Sequence, residues 1–167
     1  MPTADDRFAD VLAANDSYAG RYQLSELEAR AAKGLAVLTC MDSRIDPLRM
    51  LGLEPGDAKI LRNAGARVTD DVLRTLVLAS YLLGVERVMV VAHTRCRMAD
   101  TTPDDVHRAI VDAGGPDTRD LAFLTTSDQQ ESLCADVERV RDYPYLRDIA
   151  VAGFVYDVNT GRLEHVC

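Results

Sequence analysis

The chain has 167 residues, 47% of them apolar and 28% charged, with a formal net charge of −8. That fits one globular domain with a core of its own. The acidic balance argues against nucleic acid as a partner, because phosphate backbones call for a basic surface. No apolar run approaches the ~20 residues of a membrane span, and the polar, acidic start from Met1 to Asp10 does not read as a secretory leader.

The first elements carry little apolar surface. Asp5 to Ala14 has helical spacing through Phe8, Val11 and Leu12, and Ser25 to Ala32 reads as a second short helix. Neither can stand alone, so residues 1–34 are expected to form an arm that packs on the domain or on a second subunit. Residues 35–167 are expected to form the main domain.

Leu35 to Thr39 reads as a first buried strand. Ala58 to Leu61 reads as a second, entered through the turn Glu54-Pro55-Gly56-Asp57. Thr69 suits a helix N-cap, and Asp70 and Asp71 suit its first turn. That helix should run to about Leu83 and stop at Gly84. It is apolar on several sides, as expected of a widely buried helix or an oligomer interface. Arg87 to Ala92 reads as a third strand.

Thr102-Pro103 opens a further helix that Gly114-Gly115-Pro116 ends. Ser127 and Gln130 resemble a capping box before Leu133, Val137 and Val140, and Tyr143-Pro144 stops that helix. Ile149 to Val158 reads as a fourth strand. A turn at Asn159-Thr160-Gly161 leads to a short edge strand, Arg162 to Val166. The expected fold is α/β: a mostly parallel four-stranded sheet with flanking helices and a short C-terminal edge strand.

Of the four cysteines, Cys134 lies in a helical pattern and reads as a small buried apolar residue. Cys167 reads as frayed and without a role. So few cysteines in a chain of this length point to metal binding or free thiols in a reducing cytoplasm rather than to disulfides.

Cys40 and His93-Thr94-Arg95-Cys96 fall just where apolar runs end. Open α/β sheets place ligand sites at such carboxyl ends. A lone cysteine at a strand end is more often core than ligand, a lone H-x-x-C is common by chance, and an Asp-x-Arg pair is usually a surface ion pair. The combination is different. Two cysteines, a histidine and Asp42 are all donor types that zinc accepts, with sulfur at about 2.3 Å and imidazole nitrogen at about 2.0–2.1 Å. The fourth position is left to water or to Asp42. No C-x-x-C, G-x-G-x-x-G or Walker A segment competes with this reading. A Cys40–His93 nucleophile–base pair leaves Cys96 and Asp42 without a purpose.

At these residues the chain resembles the β-class carbonic anhydrases, which carry C-x-D-x-R and then H-x-x-C, here Cys40, Asp42, Arg44, His93 and Cys96. Arg62-Asn63-Ala64-Gly65 is similar to the family's R-N-A-G segment, and Gly153-Phe154-Val155-Tyr156-Asp157 with Thr160-Gly161 is similar too. The length resembles the small bacterial, mycobacterial-type branch. The resemblance implies zinc on Cys40, His93 and Cys96, an Asp42–Arg44 dyad, and a substrate pocket beside Asn63, Ala64 and Gly65. It implies reversible hydration of CO2 to bicarbonate through hydroxide made on the zinc, in a homodimer or higher homo-oligomer. Asp42 either pairs with Arg44 or ligates the zinc and closes the site.

Two alternatives stand beside that function. One is hydrolysis of carbonyl sulfide or carbon disulfide at the same zinc. The other is a non-catalytic, zinc-stabilised protein with a closed site. The chain departs from the family at Arg97, where glycine is usual, and at Arg95, where a small or acidic residue is common. Two cations there would favour thiolates and attract anions, obstruct the pocket, or extend into solvent.

Overall fold

The computed structural model describes residues 7–167. Its elements are α1 (Ala9–Ala19), β1 (Leu35–Cys40), α2 (Pro47–Leu51), β2 (Ala58–Asn63), a 3-10 turn (Ala64–Ala66), α3 (Asp70–Leu82), β3 (Arg87–His93), α4 (Pro103–Asp112), α5 (Gln129–Arg141), β4 (Ala150–Tyr156) and β5 (Leu163–His165). One five-stranded sheet has the order β2-β1-β3-β4-β5. The first four strands are parallel and β5 runs antiparallel to β4. The expected fold class and strand assignments therefore hold.

β1 is buried at all six positions, which is why it reads as an unbroken apolar run. Ala36 and Leu38 of β1, with Val88, Val90 and Ala92 of β3, face α3 and α5 and meet Leu73, Leu76, Leu133 and Val137. Leu35, Val37 and Val91 face the other way, against Met50, Leu51, Leu53 and Phe154. Among the described residues, that second face has only the single-turn α2 and its neighbours upon it. Among the described residues no helix is long and apolar enough to cross a membrane.

Several local expectations need correction. Ser25 to Ala32 is not helical. The backbone N–H groups of Ala31, Ala32 and Lys33 donate instead to the carbonyls of Leu83, Gly56 and Asp57, so tertiary hydrogen bonds outcompete a helix with almost no face to bury. The first helix begins and ends later than expected, and Asp5 and Asp6 lie outside the described residues. The expected elements omit α2, although Asp46 caps it, Pro47 opens it and Gly52 closes it in the left-handed region at φ 62°. α5 is capped by Asp128, whose carboxylate accepts from Glu131 N at 2.9 Å, and not by Ser127. A carboxylate one residue closer to the helix meets the helix N-terminus with a full negative charge, which a hydroxyl lacks.

The largest correction concerns sulfur. Cys134 on α5 and Cys167 form a disulfide. Gly153 on β4 makes room for it: a Cβ there would stand 2.9 Å from Cys167 Sγ and 3.1 Å from Leu133. Cys167 is thus pinned, with its backbone also bonded to Gly153, and the cysteine count loses its force as an argument for a reducing compartment. Cys40 and Cys96 remain free thiols, both buried.

Candidate metal centre

β1 and β3 are adjacent and parallel, with Thr39 opposite Val91. Their carboxyl ends therefore deliver Cys40 and His93 to the same edge of the sheet. The turn after β3 brings Cys96 back beneath them. The ligand atoms of Cys40, His93 and Cys96 lie within 4.8 Å of one another, and all three residues are buried.

His93 is oriented for this purpose. Its Nδ1 lies 2.9 Å from the carbonyl of Thr94, which can only accept, so Nδ1 carries the proton and Nε2 presents a lone pair. Nε2 is buried with no hydrogen-bond partner among the described residues. A buried polar atom left in that state is costly unless something else binds it. Two thiols and one imidazole, all aimed at one point, suit a borderline-soft divalent ion.

The sulfurs share their protons unequally. The Cys96 S–H donates to Cys40, which pulls the Cys40 thiol well below its ordinary value against the cost of burial. His93 and the backbone N–H groups of Gly65 and Asp42 add to that pull. Cys96 is pushed up by the Cys40 sulfur it serves and by its own burial. Burial alone would lower His93, but its contacts with Cys40 outweigh it and the net shift is upward.

Asp42 does not join the three donors. Arg44 holds it in a fork, Nε to Oδ1 at 2.9 Å and Nη2 to Oδ2 at 2.7 Å. That guanidinium keeps the Asp42 carboxyl far below the usual carboxylate range. The free edge of Asp42 still faces the centre, with Oδ2 3.9 Å from His93 Nε2. Arg44 is itself fixed by the carbonyl of Arg95, which accepts from Nη2 at 3.0 Å. Arg95 has a left-handed backbone, φ 55°, and Asn159 accepts from its side chain at 3.3 Å. The side chains of Arg95 and Arg97 are both exposed, the solvent-facing outcome of the three weighed from sequence.

The R-N-A-G segment plays a supporting part. Arg62 donates to the carbonyls of Cys40 and Asp42, pinning the first turn. Asn63 spans its own turn, donating to Arg67 O at 2.7 Å and accepting from Arg67 N at 2.8 Å. Gly65 sits at φ 81°, donates its N–H to Cys40 Sγ at 3.4 Å, and would bring a Cβ to 3.2 Å from Met98. Asn63 thus spends its amide on the backbone, while Gly65 touches a ligand directly.

Other supports were not found from sequence. Thr94 donates to Asp157 Oδ1 and accepts from Val158 N, which explains why the Tyr156-Asp157 segment belongs with the centre. Gln129, at the start of α5, donates to the His93 carbonyl at 3.1 Å. Asp136, further along α5, pairs with Arg67. No short-range pattern links these residues to the strand ends; only long-range packing does.

Comparison with known proteins agrees with this geometry. A family profile described as carbonic anhydrase matches residues 35–163. The chain is 38% identical over 160 residues to β-carbonic anhydrase 1 of Mycobacterium tuberculosis, covering 94% of this chain and 96% of that one. The chain belongs to the β-carbonic anhydrase family. Within that family it superposes on the crystal structure of carbonic anhydrase from Streptococcus mutans with a TM-score of 0.90, at 36% identity and full coverage of both chains. It is also 32% identical to a carbon disulfide hydrolase of Acidianus sp. over 172 residues, covering 85% of this chain and 84% of that one.

Proposed function

We propose that this chain hydrates CO2 reversibly to bicarbonate with a zinc ion held by Cys40, His93 and Cys96. The observation that carries this is the convergence of two buried free sulfurs and an unpartnered imidazole nitrogen beside an Asp42 already taken by Arg44. When bound, zinc supplies Lewis acidity that turns water into a nucleophile near neutral pH. The chain's own residues supply the rest. Asp42, ionised and fixed by Arg44, faces the three donors and would accept a hydrogen bond from a water held there and so set its orientation. Arg44 keeps the carboxylate off the metal position. The Asn63 to Gly65 turn forms one wall beside Cys40, where a side chain larger than hydrogen at Gly65 would meet Met98.

Two thiolates formally neutralise the ion, so its water should be less acidic than with three neutral ligands. Hydration should therefore rise toward alkaline pH. Metal analysis combined with stopped-flow CO2 hydration tests the proposal. About one zinc per chain and a rate that climbs from neutral to alkaline pH are expected; a profile flat from about pH 6 to 9 contradicts the account.

A second reading has its own support. Four carbon disulfide hydrolases are 26–32% identical over most of the chain, so the same centre could act on CS2 or carbonyl sulfide. A side-by-side assay decides between the substrates. The closed, non-catalytic reading is disfavoured by Asp42 lying on Arg44 and by the exposed Arg97.

We further propose a homodimer built on the arm. Phe8, Val11 and Leu12 along α1 are exposed, as are Leu78, Tyr81 and Leu82 on α3. The sheet face carrying Leu51, Leu53, Met89 and Phe154 is open as a cleft. The α1 helix of a second copy fits that need to bury apolar surface.

A further inference from the structure

The turn that touches Cys40 is held in a conformation it would not choose alone. Gly65 at φ 81° is followed by Ala66 at φ 58°. Two successive left-handed residues, the second carrying a Cβ and buried, persist only where the surroundings over-determine them, and such strain gathers at functional sites. The near end of the turn is fixed by strand pairing, since Asn63 lies opposite Cys40 in the β1–β2 ladder. The far end belongs to α5. Asp136, only 5% exposed, accepts from Arg67 Nε at 2.6 Å and from Val68 N at 3.2 Å. Arg67 also donates to the Leu124 carbonyl at 2.9 Å, and Arg139 of α5 donates to the Val68 carbonyl.

We propose that Asp136 is a positioning residue for the metal centre. By holding Arg67 and Val68 from α5, it keeps the Ala64–Ala66 turn strained and so keeps the Gly65 N–H on the sulfur of Cys40. It touches no ligand, yet it stands 69 residues from Arg67 along the chain, and no other buried acid faces this turn among the described residues. A hydrogen bond to a thiolate withdraws electron density from it. The sulfur then donates less charge to the metal, as outer contacts do in metal sites generally. A buried ion pair is otherwise weak evidence of stability, since apolar pairs of similar volume often replace one without loss. That fact separates positioning from simple bracing.

This inference rests on the metal-centre reading of Cys40, His93 and Cys96, and the test keeps the two apart. The full chain is loaded with cobalt(II), and the sulfur-to-cobalt charge-transfer band is recorded for the wild type, Asp136→Asn, Arg67→Lys and the double variant Arg67→Met with Asp136→Leu. Zinc loss to a chelator and thermal melting are followed in parallel. Losing the N–H donor raises the sulfur lone pair in energy, so the band should move to longer wavelength in all three variants, least in Arg67→Lys. Zinc should be held about 10-fold more weakly, because a relaxed turn no longer fixes Cys40 in place and that loss of pre-organisation outweighs the stronger sulfur donation. The double variant should recover most of the melting temperature and still keep the shifted band. A band and zinc retention matching the wild type in any folded variant that has lost the ion pair overturn the proposal, leaving Asp136 a brace only. A wild-type chain that gives no sulfur-to-cobalt band overturns the metal-centre reading itself.

Discussion

All six residues of β1 are buried, whereas none of the eleven residues of α1 is. The two segments are almost adjacent in sequence, yet one finds every partner within its own chain and the other finds none. β1 sits between β2 and β3 with α3 and α5 on one side, and its carboxyl end carries a ligand braced from three directions. α1 ends in solvent with Phe8, Val11 and Leu12 uncovered. The contrast teaches that the three donors converge within a single chain, while the proposed dimer is what would cover the arm. If that division is right, damage at the strand ends should abolish function without changing assembly, and damage to the arm should do the reverse.

The largest effect is expected from the ligands. Cys96→Ser or Cys40→Ser should lose zinc by about 100-fold or more in affinity and hydration with it, read by metal analysis after gel filtration. Full zinc retention in both variants would sink the ligand assignment. Asp42→Asn should keep its zinc and lose about 100-fold in rate, because orientation is lost while the donors are not. An equal loss of metal would show that Asp42 ligates after all. On the other side of the comparison, Val11→Asp with Leu12→Asp should convert a dimer to monomers in sedimentation while zinc content stays at the wild-type level. A dimer that survives this pair moves the interface elsewhere.

Smaller effects sharpen the boundary. Cys134→Ser opens the link to Cys167, which closes 33 residues. It should cost about 2–4 kcal/mol in denaturant unfolding and leave metal content unchanged. The smallest signal is a proton count. Cys96 is raised, so it holds its proton at neutral pH in the metal-free chain. Cys40, in contrast, is lowered and already a thiolate. Zinc uptake must therefore release about one proton per ion near pH 7, the one held by Cys96, and affinity must strengthen as pH rises. Calorimetry in buffers of different ionisation enthalpy gives the count. No release would mean that the sulfurs do not bind.

How far the sequence could be read depended on range. β1 and β3 announced themselves as apolar runs because β1 is buried at every position and β3 at all but Arg87 and Met89, and Cys40 and His93 were legible because each closes such a run. Asp42 and Arg44 lie within one turn, and the family resemblance offered their pairing as one of two outcomes, the other being Asp42 on the metal. α2 was missed although its cap, proline and closing glycine are all present, because a five-residue helix leaves no periodicity to detect. The expected helix at Ser25 to Ala32 failed for the opposite reason: its local propensity was overruled by carbonyls of Gly56 and Leu83, which only folding brings near. The Cys134–Cys167 disulfide escaped because the cysteine count and chain length point away from any disulfide, and the two sulfurs meet only where α5 and the C-terminal residue pack together against Gly153 of β4.

The sequence by itself determined the donor set, the strands that end at it, and the alternation of strand and helix that makes the sheet parallel. These follow from residue chemistry and short-range pattern, which act between neighbours along the chain. Only the tertiary structure decided that Asp42 lies on Arg44, that Nε2 of His93 is left without a partner, and that Asp136 and Gln129 reach the centre from α5. Those outcomes depend on which distant surfaces exclude water together, and burial of that kind is settled by the whole fold at once.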